Sequence, residues 1–114
     1  MIRRGEIHWI AMDPTLGAEI KKTRPCLVIS NNDNNHFSPL ITILPITSTI
    51  KKLYPFEVRI PKGTGGLKEE GTIKANQIRT IDKKRVVGGP QGPEIDDALM
   101  DRVVAALKLH LDME

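Results

Sequence analysis

Residues 25–46 read Pro25-Cys26-Leu27-Val28-Ile29-Ser30-Asn31-Asn32-Asp33-Asn34-Asn35-His36-Phe37-Ser38-Pro39-Leu40-Ile41-Thr42-Ile43-Leu44-Pro45-Ile46. Two short apolar runs, rich in β-branched residues, flank a cluster of Asn and Asp. Residues 25–30 form a near-continuous apolar run, the pattern of a strand buried on both faces. Residues 40–46 repeat it. Between them, 31–35 predicts a turn, because Asx side chains bond their own backbone and tolerate left-handed conformations.

Working outward, residues 6–12 (Glu-Ile-His-Trp-Ile-Ala-Met) form a first strand that stops at Asp13-Pro14. A polar loop over 13–23 follows. On the other side, a basic loop over 48–55 leads into Phe56-Glu57-Val58-Arg59-Ile60, which alternates with period two. Residues 61–71 hold four glycines and predict a mobile loop. Short strands near 72–75, 78–81 and 85–87 finish the β part, with Ile78 and Ile81 expected in the core. Pro90-Gln91-Gly92-Pro93 breaks the pattern. A helix over about 93–112 then opens with Glu94, Asp96 and Asp97, favourable against the helix dipole. Ile95, Leu99, Val103 and Leu107 recur at helical spacing. Met100, Val104 and Leu111 widen the apolar surface enough to suggest a contact with a second subunit. The expected fold is mainly β with a C-terminal helix, a small barrel over about 4–88 in one domain spanning 1–114.

The chain has 114 residues, 39% apolar and 27% charged, an ordinary globular mix. Residues 1–93 carry 15 Lys and Arg against 8 Asp and Glu, whereas residues 94–114 carry 2 against 6. A basic body with an acidic end suits a polyanionic partner. The lone Cys26 excludes an intrachain disulfide and, within its apolar run, reads as a small buried hydrophobe. No apolar stretch approaches the roughly 18 residues of a spanning helix, and Gly5 to His8 interrupts any leader-like start, so a cytoplasmic protein with no membrane partner is expected. His8, His36 and His110 are far apart and lack ligand spacing, so no metal or other cofactor is expected. Gly65-Gly66 and Gly88-Gly89 lack the strand–loop–helix setting of a phosphate loop.

Five blocks carry a resemblance. Gly5-Glu6-Ile7-His8-Trp9 with 13–19 (Asp-Pro-Thr-Leu-Gly-Ala-Glu), then 22–29, then 31–39 with its Ser38-Pro39, then Pro45-Ile46-Thr47-Ser48, then 77–83 (Gln-Ile-Arg-Thr-Ile-Asp-Lys) follow one another in order. Together they resemble the MazF/PemK endoribonuclease toxins of type II toxin–antitoxin systems, over roughly residues 4 to 87. The resemblance implies an SH3-like barrel of the CcdB/PemK type, a homodimer, a cognate MazE-like antitoxin, and DNA met only indirectly through the antitoxin complex. It also implies sequence-specific cleavage of single-stranded RNA, messenger RNA included, without a metal. The products would be a 2′,3′-cyclic phosphate and a 5′-hydroxyl. Its catalytic pair would be Arg24 and Thr47.

Those residue types suit the chemistry. The ribose 2′-hydroxyl is an internal nucleophile already held beside the phosphorus. What remains is to stabilise charge on the pentacoordinate phosphorus, for which Arg24 offers forked donors and Thr47 a neutral hydroxyl. A guanidinium that stays protonated is a poor base, so Glu19 is expected to orient Arg24 or to accept the 2′-hydroxyl proton. Thr15, Lys21, Lys22, Ser48, Lys51, Lys52, Tyr54, Gln77 and Arg79 are candidate RNA contacts: lysines for the backbone, Tyr54 as a stacking platform, the rest as groove-lining polar groups. Two positions depart from the family pattern. Ala18 stands where a serine is usual, and Asn76 where an acid is common, so no relative's cleavage sequence transfers. Two alternatives share the barrel: a non-catalytic CcdB-like gyrase poison, and an RNA- or partner-binding module.

Overall fold

The computed structural model describes residues 1–49 and 51–114. Seven strands and two α-helices follow in the order β1 (Ile7–Ala11), β2 (Thr23–Val28), α1 (Asn32–Phe37), β3 (Leu40–Thr47), β4 (Glu57–Ile60), β5 (Gly71–Lys74), β6 (Arg79–Asp82), β7 (Val86–Gly88) and α2 (Asp97–His110). All strand pairs are antiparallel. The sheet runs β4-β5-β3-β2-β1-β7, with β6 paired to β3 off that path. The recorded ladder does not close, but the chain bends like a barrel around its longest strand.

That strand is β3. Its first half pairs with β6 and its last two residues pair with β5, while β2 lies on the other edge. Splitting one strand between two partners folds the sheet and gives it two interiors. Ile7, Leu27, Leu44 and Ile46 join Val58, Ile60 and Ile73 beneath α2. Ile10, Cys26, Val28, Ile41 and Ile43 point the opposite way with Met12 and Ile81. The two-faced burial expected of the 25–30 run follows from this division. Ile95, Leu99, Val103 and Ala106 seat α2 on the first interior, with Met100 and Leu107 at its margin.

Four expectations are corrected. Residues 31–35 do not form a simple turn: Asn31 caps α1 by accepting the Asn34 N–H at 2.8 Å. The Asx chemistry that favours turns also favours helix N-caps. Asn35 is fully buried and bonds the Ser30 carbonyl and hydroxyl at 2.8 and 2.5 Å. The 61–71 segment packs inward: Leu67 and Gly65 are buried, and a Cβ on Gly66 (φ +83°) would stand 2.3 Å from the Gln91 carbonyl oxygen. Its glycines serve close approach. Helix α2 begins later than 93, because Asp96 is its N-cap and accepts the Leu99 N–H at 2.8 Å. Ile78 is exposed, since a 3-10 turn over Ala75–Gln77 interrupts the strand period and Ala75 takes the buried place.

Candidate functional site

Arg24 lies near the start of β2 and Thr47 at the end of β3. The β2–β3 register pairs Cys26 with Pro45. Two residues further along, that register sets Arg24 against Thr47 on one face. Both line a cleft of about 290 Å³ with Trp9, Ser48, the 67–71 segment and Gln91. Arg24 is half-buried, and its Nε donates to the Lys21 carbonyl at 3.0 Å. This bond orients the guanidinium. Among the described residues no carboxylate pairs with it, so both terminal nitrogens remain for an anion. A planar fork anchored through Nε presents two parallel donors, the geometry a phosphate accepts.

Thr47 also lines a second cleft of about 280 Å³, with Lys51, Lys52, Tyr54, Glu57, Lys74 and Gln77. The two clefts therefore adjoin at its position. Their electrostatics differ. The first mixes Arg24 and Lys68 with Glu69 and Glu70, so it is not the uniformly positive groove that the basic body suggested. The second holds three lysines against one carboxylate.

That carboxylate, Glu57, is paired across the sheet with Lys74 and accepts the Tyr54 N–H at 2.9 Å. Burial alone would raise its pKa. The Lys74 and Tyr54 hydrogen bonds, with the charges of Lys74 and Arg59, outweigh burial and hold it below the usual carboxylate value. The Cys26 thiol is pushed up to about 12 by burial, against the pull of Arg79 and Arg24. It is a packing group and not a nucleophile.

The remaining candidates divide. Ser48 joins the first cleft; Lys51, Lys52, Tyr54 and Gln77 join the second. Thr15, Glu19, Lys21, Lys22 and Arg79 line neither. Glu19 does not reach Arg24. Its carboxylate accepts the Leu16 N–H at 2.7 Å and closes a turn within the β1–β2 loop. Thr15 donates to Asp13 at 2.9 Å, and Asp13 also accepts the Lys22 N–H at 3.1 Å, so this loop is folded on its own bonds. Lys21 contributes its carbonyl to Arg24. Arg79 reaches the Met12 carbonyl at 2.6 Å and pins the end of β1. Gln77 ties the same loop down by accepting the Ile20 N–H at 3.1 Å.

Sequence reasoning missed Glu57, Lys74, Glu69, Glu70 and Trp9 as cleft residues. The alternation over 56–60 does mark Glu57 as facing away from the core beneath α2. Nothing in the sequence pairs it with Lys74. Among the described residues no three His, Cys, Asp or Glu side chains converge on a point, and no helix is long and apolar enough to cross a membrane.

Residues 3–111 match the model of the PemK-like, MazF-like toxins of type II toxin–antitoxin systems. The endoribonuclease MazF9 of Mycobacterium tuberculosis is 39% identical over 99% of this chain and 98% of its own. The crystal structure of MazF from Deinococcus radiodurans superposes with a TM-score of 0.83 at 30% identity, covering 98% of this chain and 97% of that one. A MazE–MazF structure from the same organism gives 0.78 at 28% identity, with coverage of 99% and 98%.

Proposed function

Because the chain belongs to the PemK-like, MazF-like toxin family of type II toxin–antitoxin systems, we propose that it is an endoribonuclease that cuts single-stranded RNA at short sequences without a metal. The juxtaposition of Arg24 and Thr47 in one cleft carries the reading. The 2′-hydroxyl attacks the adjacent phosphorus, and the 5′-oxygen leaves with a proton. A 2′,3′-cyclic phosphate and a 5′-hydroxyl result. The guanidinium of Arg24 clamps the developing charge on the phosphoryl oxygens, and the Thr47 hydroxyl donates to the same group. Glu69 lines this cleft with no ion-pair partner among the described residues, and it replaces Glu19 as the group that takes the 2′-hydroxyl proton. Lys51 and Lys52 hold flanking phosphates electrostatically.

The family membership supports a cognate MazE-like antitoxin, and the crystallised MazE–MazF relative supports direct contact between the two chains. An acidic antitoxin segment lying over the lysine-rich cleft would exclude RNA. The protein is read as a cytoplasmic homodimer in one domain, with Leu109 and Leu111, exposed beyond the seated face of α2, available to a second copy.

The test is incubation of the purified protein with a long RNA in EDTA, followed by mapping of 5′ ends. Wild-type protein is expected to cut at discrete sites and leave 5′-hydroxyls that polynucleotide kinase labels without prior dephosphorylation. Arg24→Ala and Thr47→Ala are expected to leave the RNA intact. Intact RNA with the wild type, accompanied by inhibition of gyrase, would establish the gyrase-poison alternative instead.

A further inference from the structure

We propose that the second cleft is a base-reading subsite in which the Glu57–Lys74 pair selects guanine beside the cleaved phosphate. The inference rests on the endoribonuclease reading and adds a recognition chemistry to it. Thr47 lines both clefts. A nucleotide whose phosphate meets Arg24 and Thr47 therefore has the second cleft within reach of its base or its neighbour's. At about 280 Å³ this cleft sits at the small end of ligand sites, suited to one flat ring system.

Its hydrogen-bonding face is specific. Glu57 accepts the Tyr54 N–H through Oε1 at 2.9 Å and pairs with Lys74 through Oε2. Each carboxylate oxygen keeps a further lone pair, and an ammonium carries three donors of which this pair uses one. The cleft thus presents two acceptors side by side next to a cationic donor. Guanine alone among the four bases matches that row on its pairing edge: N2–H and N1–H donate in parallel, and O6 accepts. Adenine, cytosine and uracil each turn a lone pair toward the carboxylate. The carboxylate is ionised at neutral pH, held so by Lys74, the Tyr54 N–H and Arg59 against the effect of burial.

Rigidity supports a reading role. The Tyr54 and Glu57 backbones are tied reciprocally, since the Glu57 N–H donates to the Tyr54 carbonyl at 2.9 Å. The Tyr54 ring lies parallel to Phe56 (interplanar angle 3°, centroids 5.6 Å apart), and Phe56 leans on His110 of α2. Tyr54 is nonetheless 59% exposed and lines the cleft. The stacking wall and the acceptor pair are therefore one unit, fixed before a base arrives. Gln77, the other amide there, already spends its oxygen on the Ile20 N–H, so discrimination falls to the charged pair. A cross-strand ion pair that served only the sheet would have no need of a stacking ring beside it.

Two readouts on the full chain test this. The first is NMR titration with the four nucleoside 5′-monophosphates, which share one phosphate and differ only in base. The guanosine nucleotide is expected to bind at least about tenfold more tightly than the others, and Glu57→Gln to remove that preference, since a good bidentate contact discriminates by roughly 5- to 150-fold. The second is the cleavage map. Wild-type sites are expected to share guanine at one fixed position within two nucleotides of the break, and Glu57→Gln to cut without that requirement. Equal binding of all four nucleotides, or an unchanged guanine requirement in Glu57→Gln, would overturn the proposal. RNA left intact by the wild type, as by Arg24→Ala, would instead sink the nuclease reading, and the nucleotide titration would then decide the guanine site by itself. If Glu57→Gln fails to fold, Lys74→Met makes the same distinction by removing the donor to O6.

Discussion

The Arg24 side chain allows a graded perturbation. Arg24→Ala removes both free terminal nitrogens and the charge; Arg24→Lys keeps the charge but loses the fork and the Nε bond to the Lys21 carbonyl. Loss of one donor aimed at developing charge costs about 2.7–4 kcal/mol, or 10²–10³ in rate. Two donors acting as a unit do not add, so Arg24→Ala is expected to slow cleavage by at least 10²–10³. Arg24→Lys should recover about tenfold of that, because one ammonium supplies a single, less directed donor. The fold should survive both changes. The bond lost is a partly exposed one worth about 0.5–1.5 kcal/mol, which lowers the melting temperature by several degrees in a domain of this size. Single-turnover cleavage of a fluorescent RNA in EDTA, alongside a thermal melt, measures rate and folding separately. A folded Arg24→Ala protein within fivefold of wild type would refute the charge-clamp reasoning. A wild-type rate for Arg24→Lys would refute the claim that the fork matters.

Other outcomes follow from the same geometry. Thr47→Val keeps the β-branched shape that the β3–β5 ladder needs and deletes only the hydroxyl, so single-turnover rates should fall about 10²–10³-fold with little change in denaturation midpoint. Glu69→Gln should slow cleavage and flatten the acid limb of the pH–rate profile, whereas Glu19→Gln should leave that limb in place; equal profiles for Glu69→Gln and wild type would remove Glu69 from proton transfer. Gly71→Ala would put a Cβ 2.7 Å from Ile46 Cγ2 and 2.9 Å from the Thr47 carbonyl oxygen. It should cost about 1–3 kcal/mol in urea unfolding and reduce cleavage by displacing Thr47. The folded-state pKa of Glu57 lies below its model value of 4.5, so its contribution to stability is fully present above that value and is lost as pH falls through the lower, folded pKa. The stability gap between wild type and Glu57→Gln should be widest near neutrality and vanish in acid, as chemical denaturation across pH 2–7 would report.

The sequence by itself determined the strands, the terminal helix and the family, because each is written in local patterns. The apolar runs at 25–30 and 40–46, the alternation over 56–60 and the helical spacing of Leu99 and Val103 depend on periodicity alone. Where two local rules used the same residues, tertiary context chose between them: the Asn31–Asn35 cluster became a helix cap, and the glycines of 61–71 admitted close packing against Gln91. Arg24 and Thr47 were legible through the resemblance, but their meeting was not. It depends on the β2–β3 register, a pairing between residues 23 positions apart that no single-strand pattern encodes. The same is true of Glu57 and Lys74, joined by the β4–β5 register, and of Glu19, whose carboxylate turned inward on its own loop because a main-chain N–H three residues away was nearer than any cation. Periodicity sets which face a side chain takes; only the folded sheet sets what stands opposite it.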